Sequence, residues 1–276
     1  MTKKELLVDV RTVLRRKAPV MAKWIPAFVV NGLCRLVHEE ELNRIVERYR
    51  HLEGVVFMQA LVKEFDVKLD LAGEEHLPPD GRACIFASNH PLGGLDGICL
   101  AAFLGERYNS NICYLVNDLL LSIPNLQSIF IPVNKHGTQS RDAVLQMDAA
   151  YRSGRQILTF PAGFCSRKQK GQIRDTAWKK SFVQKAVAYR RDIVPVHFAG
   201  RNSDFFYRLA DIRKRSGLKI NVEMLCLPGE MFKNRHQSFR IRIGKPIPWQ
   251  TFDRTKRWDE WAEWVKEKVY LLSTNN

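Results

Sequence analysis

Apolar and polar positions change period once along this chain, near residue 65. Before it, apolar residues recur at helical spacing. Leu6, Leu7, Val10, Val13 and Leu14 form one stripe, and "EEELNRIVERYRHL" starts acidic and ends basic, as a helix dipole favours. "EGVVFMQALVKEF" continues the helical pattern. Beyond it, short apolar runs bounded by turn residues take over. "VKLDLAG" alternates like a strand and "EEHLPPDGR" reads as a turn. "ACIFASN", "NICYLVN", "SIFIPVN", "QILTFP", "DIVPVHFAG" and "FRIRIGKPI" read as further strands. "LDGICLAAFLGER", "SRDAVLQMDAAYRSG", "WKKSFVQKAVAYRR" and "KRWDEWAEWVKEKVYLL" read as helices. Short apolar strands alternating with helices predict an α/β fold, a mostly parallel central sheet flanked by helices. That body is expected over residues 66–276. A helical, membrane-associating appendage is expected over residues 1–65.

Composition narrows the function. The chain has 276 residues, 45% hydrophobic, enough for a sizeable core. Its net charge is +15, and all of that excess lies after residue 138. A one-sided basic surface suits anionic partners: lipid, an acidic carrier protein or nucleic acid. Two function classes follow, an enzyme of lipid chemistry or a basic nucleic-acid-binding α/β protein without catalysis. The bases sit in helices and loops between apolar runs, and no nucleic-acid motif appears, so nucleic acid is not the expected partner. The six cysteines include no CxxC pair and sit in apolar contexts, which predicts reduced core residues and no metal site. The longest apolar stretch, Trp24–Val37, is broken by Pro26, Asn31 and Arg35. It is too short to span a bilayer but could lie on one. Trp258, Trp261 and Trp264 in the last helix are expected in the core.

Ligand sites in such sheets lie at the carboxyl ends of strands. "NHPLGGLDG" follows the strand "CIFAS", and it sets His90 and Asp96 on a glycine-rich turn. A neutral imidazole can take a proton from a hydroxyl attacking an acyl carbon, and a carboxylate on its other nitrogen fixes the tautomer. Ser88 would point to the opposite strand face, so the base would act on an external hydroxyl. The bland alternative is that His90 caps a turn and Asp96 caps the next helix. His197 reads as a packed structural histidine. The basic run "SRKQKGQIR" reads as a solvated loop that could also bind an anion.

"NHPLGGLD" resembles the first conserved block of the PlsC-type glycerolipid or lysophospholipid acyltransferases. "IFIPVNK" (Ile129–Lys135), "FPAGFCSRK" (Phe160–Lys168) and "IVPVHF" (Ile193–Phe198) resemble the next three, in order. The resemblance implies an O-acyltransferase of membrane lipid synthesis, with His90 as general base and Asp96 as its orienting group. It implies substrate contacts at Asn89, Gly93, Gly94, Asn134, Lys135, Phe160, Pro161, Gly163, Ser166, Arg167 and Lys168. No cofactor is expected. Acyl-CoA or acyl carrier protein would be the co-substrate, a lyso-lipid the acceptor, and the cytoplasmic face of the membrane the place of work. Three departures from the family pattern bear on the acceptor. Five residues separate His90 from Asp96 where the family has four. Ala162 stands where the third block carries a glutamate. Pro132 and Val133 replace the acid and arginine of the second block. They bring a lyso-amino-acid lipid in beside lysophosphatidate, with Arg167, Lys168 and Lys135 holding the headgroup.

Overall fold

The computed structural model describes residues 9–17, 24–117, 123–133, 141–169, 171–217 and 221–274. Among the described residues four helices come first: α1 (Val10–Lys17), α2 (Ala27–Leu36), α3 (Glu39–Arg48) and α4 (Gly54–Glu64). In α3 three glutamates fill the first turn and Arg48 the last, the charge order expected of its dipole. The strands are β1 (Lys68–Ala72), β2 (Ile85–Ser88), β3 (Ile112–Asn117), β4 (Phe130–Val133) and β5 (Gln156–Thr159), then β6 (Arg167–Gln169), β7 (Gln172–Arg174), β8 (Ile193–Phe198) and β9 (Ser238–Ile243). Helices α5 (Leu95–Arg107), α6 (Arg141–Arg152) and α7 (Ser181–Ala188) connect them. Helices α8 (Asp204–Arg215), α9 (Leu227–Lys233) and α10 (Trp258–Leu271) complete the chain.

Seven strands form one sheet in the order β1-β9-β8-β2-β5-β3-β4. Every pairing in it is parallel except β8 with β9. The sheet is therefore mostly parallel, as the apolar strand runs predict. Strands β2, β5 and β8 are buried along their whole length, because helices cover both faces. On one face Phe86, Leu158 and Val194 join α5 and Val55, Phe57, Met58 and Leu61 of α4 in one core. Helix α4 thus shares the core of the sheet. It approaches α5 so closely that a Cβ on Gly105 would lie 2.3 Å from Val55 Cγ1. On the other face Ile85, Ile157 and Ile193 pack with Trp178, Phe182 and the α10 residues Trp261, Val265 and Val269. Trp258 and Trp264 pack against that core from its edge, as expected for the tryptophans of this helix.

Two features depart from the sequence reading. The run read as a solvated loop is a hairpin, β6 with β7, that turns at Gly171 with φ +82°. The segment Asp204–Lys233, given no structure above, forms α8, α9 and the 3-10 turn Val222–Cys226 between them. Among the described residues no helix is long and apolar enough to cross a membrane. Five of the six cysteines are buried and none is bridged.

Candidate active site

Strand β2 lies between β5 and β8, so the residues that follow these three strands converge. Asn89 follows β2 and joins it to β8: its Nδ2 donates to the Phe198 carbonyl at 2.9 Å, and Phe198 N–H donates to its Oδ1 at 2.7 Å. His90 comes next. Phe160, which follows β5, stacks on the His90 imidazole with 4.1 Å between ring centroids. Two neighbouring parallel strands therefore hold the histidine and the aromatic plate beneath it.

The turn then brings Asp96 back to His90. Gly93 has φ +77°, and a Cβ there would lie 2.9 Å from both Cys165 Cβ and Leu227 Cδ1. Only glycine meets that conformation and that space. Gly94 has no such constraint, since nothing lies within 4 Å of a Cβ placed on it. Asp96 sits fully buried in the first turn of α5. Its Oδ2 lies 3.0 Å from His90 Nδ1 and accepts the Leu92 N–H at 2.9 Å, while Oδ1 accepts the Gly97 N–H at 2.9 Å. The Asp96 carboxylate is thus held by backbone amides at a helix N-terminus. It keeps the proton of the imidazole on Nδ1 and leaves Nε2 for another partner.

Asp175, which sequence reasoning missed, supports the histidine from behind. Its Oδ1 accepts the His90 N–H at 3.2 Å and the Ser166 hydroxyl at 2.6 Å, and its Oδ2 accepts Trp178 Nε1–H at 2.9 Å. Ser166 N–H in turn donates to the His90 carbonyl at 2.8 Å. Burial raises the Asp175 pKa against the lowering effect of these donors. No local pattern marks Asp175 as a partner of His90, because that tie spans 85 residues.

His90 opens on a cavity of about 750 Å³. Gly93, Gly94, Phe160, Pro161 and Gly163 line it beside His90. The remaining lining is mostly apolar and comes mainly from α3, α4, α6, α7, α9, the β3–β4 region and the 3-10 turn Val222–Cys226, including Leu42, Phe57, Tyr114, Phe130 and Met231. Such a cavity suits an acyl chain. Lys179 and Lys185 also line it. Lys179 N–H donates to the Pro161 carbonyl at 3.0 Å, next to the plate under His90. Lys185 Nζ lies 5.3 Å from the Tyr189 ring centroid.

Several expected substrate contacts are committed elsewhere. The Asn89 amide and the Ser166 hydroxyl are engaged by the protein, as above. Arg167 is turned away from the cavity: its Nη2 lies 2.8 Å from Oε1 of Glu223, a fully buried carboxylate that also meets Arg213 at 2.9 Å. Leaving Glu223 unpaired in the interior would be costly, so Arg167 stays with it. Lys168 is exposed on the hairpin, outside the cavity lining. Asn134 and Lys135 lie outside the described residues. His197 is buried in β8, as read from the sequence, and its pKa is pushed down to about 4 by desolvation and by the Arg242 charge. Among the described residues there is no group of His, Cys, Asp or Glu able to hold a metal ion.

Comparison with known proteins bears on this arrangement. The lyso-glycine lipid O-acyltransferase of Phocaeicola vulgatus is 50% identical over 266 residues, covering 96% of this chain and 95% of that protein. The lyso-glycine lipid O-acyltransferase of Bacteroides thetaiotaomicron is 48% identical, covering 96% and 97%. The crystal structure of the 1-acyl-sn-glycerophosphate acyltransferase PlsC from Thermotoga maritima is 17% identical with a TM-score of 0.48, covering 90% of this chain and 94% of that one. Residues 12–276 match the acyltransferase family. The chain belongs to that family and is an acyltransferase, which decides between the enzyme and nucleic-acid readings of its charge.

Proposed function

We propose that this acyltransferase moves a fatty acyl group from a thioester donor, acyl-CoA or acyl carrier protein, to the hydroxyl of a lyso-glycine lipid. The observation that carries the reading is the His90–Asp96 pair at the mouth of the large apolar cavity. The names of relatives at 50% and 48% identity supply the acceptor.

In this mechanism His90 Nε2 takes the proton of the acceptor hydroxyl while its oxygen attacks the thioester carbonyl carbon. Asp96 holds the Nδ1 proton and stabilises the imidazolium that forms. The C–S bond then breaks, the new ester remains on the acceptor, and the imidazolium returns its proton to the leaving thiolate. Phe160 keeps the imidazole plane fixed and water off one face. The acceptor's carboxylate is met by Lys179 and Lys185, and the apolar walls receive the acyl chains.

The protein works at a membrane surface without spanning it. Trp24, in the turn before α2, and Phe28, in its first turn, are 84% and 76% exposed and suit an interfacial position. Excess positive charge adds attraction to the anionic inner leaflet.

The test is to offer the purified protein a β-hydroxyacyl glycine lipid and lysophosphatidate with each donor. Diacylated glycine lipid is the expected product. Acylation of lysophosphatidate alone would overturn the acceptor assignment.

A further inference from the structure

Helix α8 has one buried and one exposed side, and the exposed side is unusual. Phe206, Tyr207 and Ala210 face the interior, and Arg213 reaches buried Glu223. On the opposite side Phe205 and Ile212 are 57% and 62% exposed. They are seven residues apart and so fall on nearly the same line of the helix. Arg208 and Arg215, both exposed, run beside them on that surface. Neither arginine has a carboxylate partner among the described residues. Asp204 on the flank pairs with Arg201, and Asp211 is the other exposed acid of the helix.

The placement of α8 ties this face to the cavity. Helix α8 and helix α2 both pack against the 3-10 turn Val222–Cys226. Within that turn Leu225 is 45% exposed and also lines the cavity. Glu223 of the same turn locks α8 to the strand that follows the cavity residues Pro161 and Gly163, through Arg213 and Arg167. Two exposed apolar faces thus flank one turn whose leucine belongs both to the surface and to the cavity wall.

We propose that α8 is a second membrane-contact element, whose Phe205/Ile212 and Arg208/Arg215 face seats the Leu225 edge of the cavity on an anionic lipid bilayer. The apolar pair enters the interface and the arginines meet lipid phosphates, a pairing that a helix of this pattern favours. Lipid would then reach His90 from the bilayer without crossing water. The inference rests on the lyso-lipid reading for its purpose, but vesicle binding is measured without any acyl donor or acceptor.

The experiment is sedimentation of the full chain with vesicles of phosphatidylcholine containing phosphatidylglycerol, and with phosphatidylcholine alone. Phe205→Glu with Ile212→Glu, and separately Arg208→Glu with Arg215→Glu, are compared with the unchanged chain. Both side chains of each pair are exposed, so folding should survive, and a thermal melt checks it. Each double variant is expected to lose roughly tenfold or more in binding to the anionic vesicles, and the arginine pair to lose little on neutral ones. Folded variants that bind anionic vesicles like the unchanged chain would overturn the proposal. So would a variant whose oligomeric state changes while its vesicle binding does not, since the face would then join two copies of this chain. Binding lost through α8 in a protein that acylates no lyso-lipid would sink the functional reading and leave this surface standing.

Discussion

Asp96 Oδ2 lies 3.0 Å from His90 Nδ1 and 2.9 Å from the Leu92 amide, so one carboxylate orients the imidazole and closes the turn that carries it. Removing the base and removing its orienting group therefore have different signatures. His90→Ala should leave the fold intact and cost roughly two to four orders of magnitude in acyl transfer. Asp96→Asn sets an amide N–H against a backbone donor, of Leu92 or of Gly97, so it should lower both activity and thermal stability. A purified His90→Ala protein that turns over at the wild-type rate would end the general-base assignment.

The two glycines of the turn should separate cleanly. Gly93→Ala must adopt φ +77° and press on Cys165 and Leu227. It should cost about 1–3 kcal/mol in stability and lower kcat by moving His90 off Phe160. Gly94→Ala meets open space and should be close to neutral in stability. Denaturant melts and initial rates on both variants check this, and equal losses at the two positions would contradict it.

The proposed headgroup contact at the cavity lysines can be separated from the structural role of Arg167. Lys179→Ala should raise KM for an anionic lyso-lipid several-fold with kcat little changed, because the lost contact is made equally in ground and transition states. Arg167→Ala should instead act on stability, since it removes one of the two arginines that meet buried Glu223. If Arg167→Ala raises the acceptor KM in a protein as stable as the wild type, the headgroup contact belongs to Arg167 after all.

His197 makes the fold sensitive to acid. Its folded pKa is about 4 against an ordinary 6.5, a depressed value, so its contribution is present above 6.5 and is lost as pH falls towards 4. The loss should be roughly 3 kcal/mol. His197→Leu keeps the position apolar and removes the titration, so the stability gap between wild type and variant should change across that window. A gap that stays constant with pH, in urea unfolding at several pH values, would exclude this role.

How far the site could be read in advance depended on distance along the chain. His90 and Asp96 are six residues apart with glycines between, so their pairing is a local event that spacing can show. The strands at whose ends they stand are apolar runs, and their burial on both faces is what makes such runs visible. Asp175 meets His90 across 85 residues, and Glu223 meets Arg167 across 56. Neither carboxylate has a neighbour in sequence that betrays it. The sequence reads Arg167 as a headgroup contact and does not show its pairing with Glu223, because that partner lies in a segment with no clear period.

The sequence by itself determined the α/β alternation, the mostly parallel sheet and the histidine–aspartate pair, because hydrophobic period and short-range turn geometry are properties of consecutive residues. The tertiary structure alone decided which charges face the cavity. Lys179 and Lys185 line it while Arg167 is drawn to Glu223, and the Asn89 amide is consumed in joining β2 to β8. A charged or amide side chain in a folded protein goes where a buried partner or backbone group would otherwise be left unsatisfied. That competition is set by which elements pack together, and composition along the chain does not contain it.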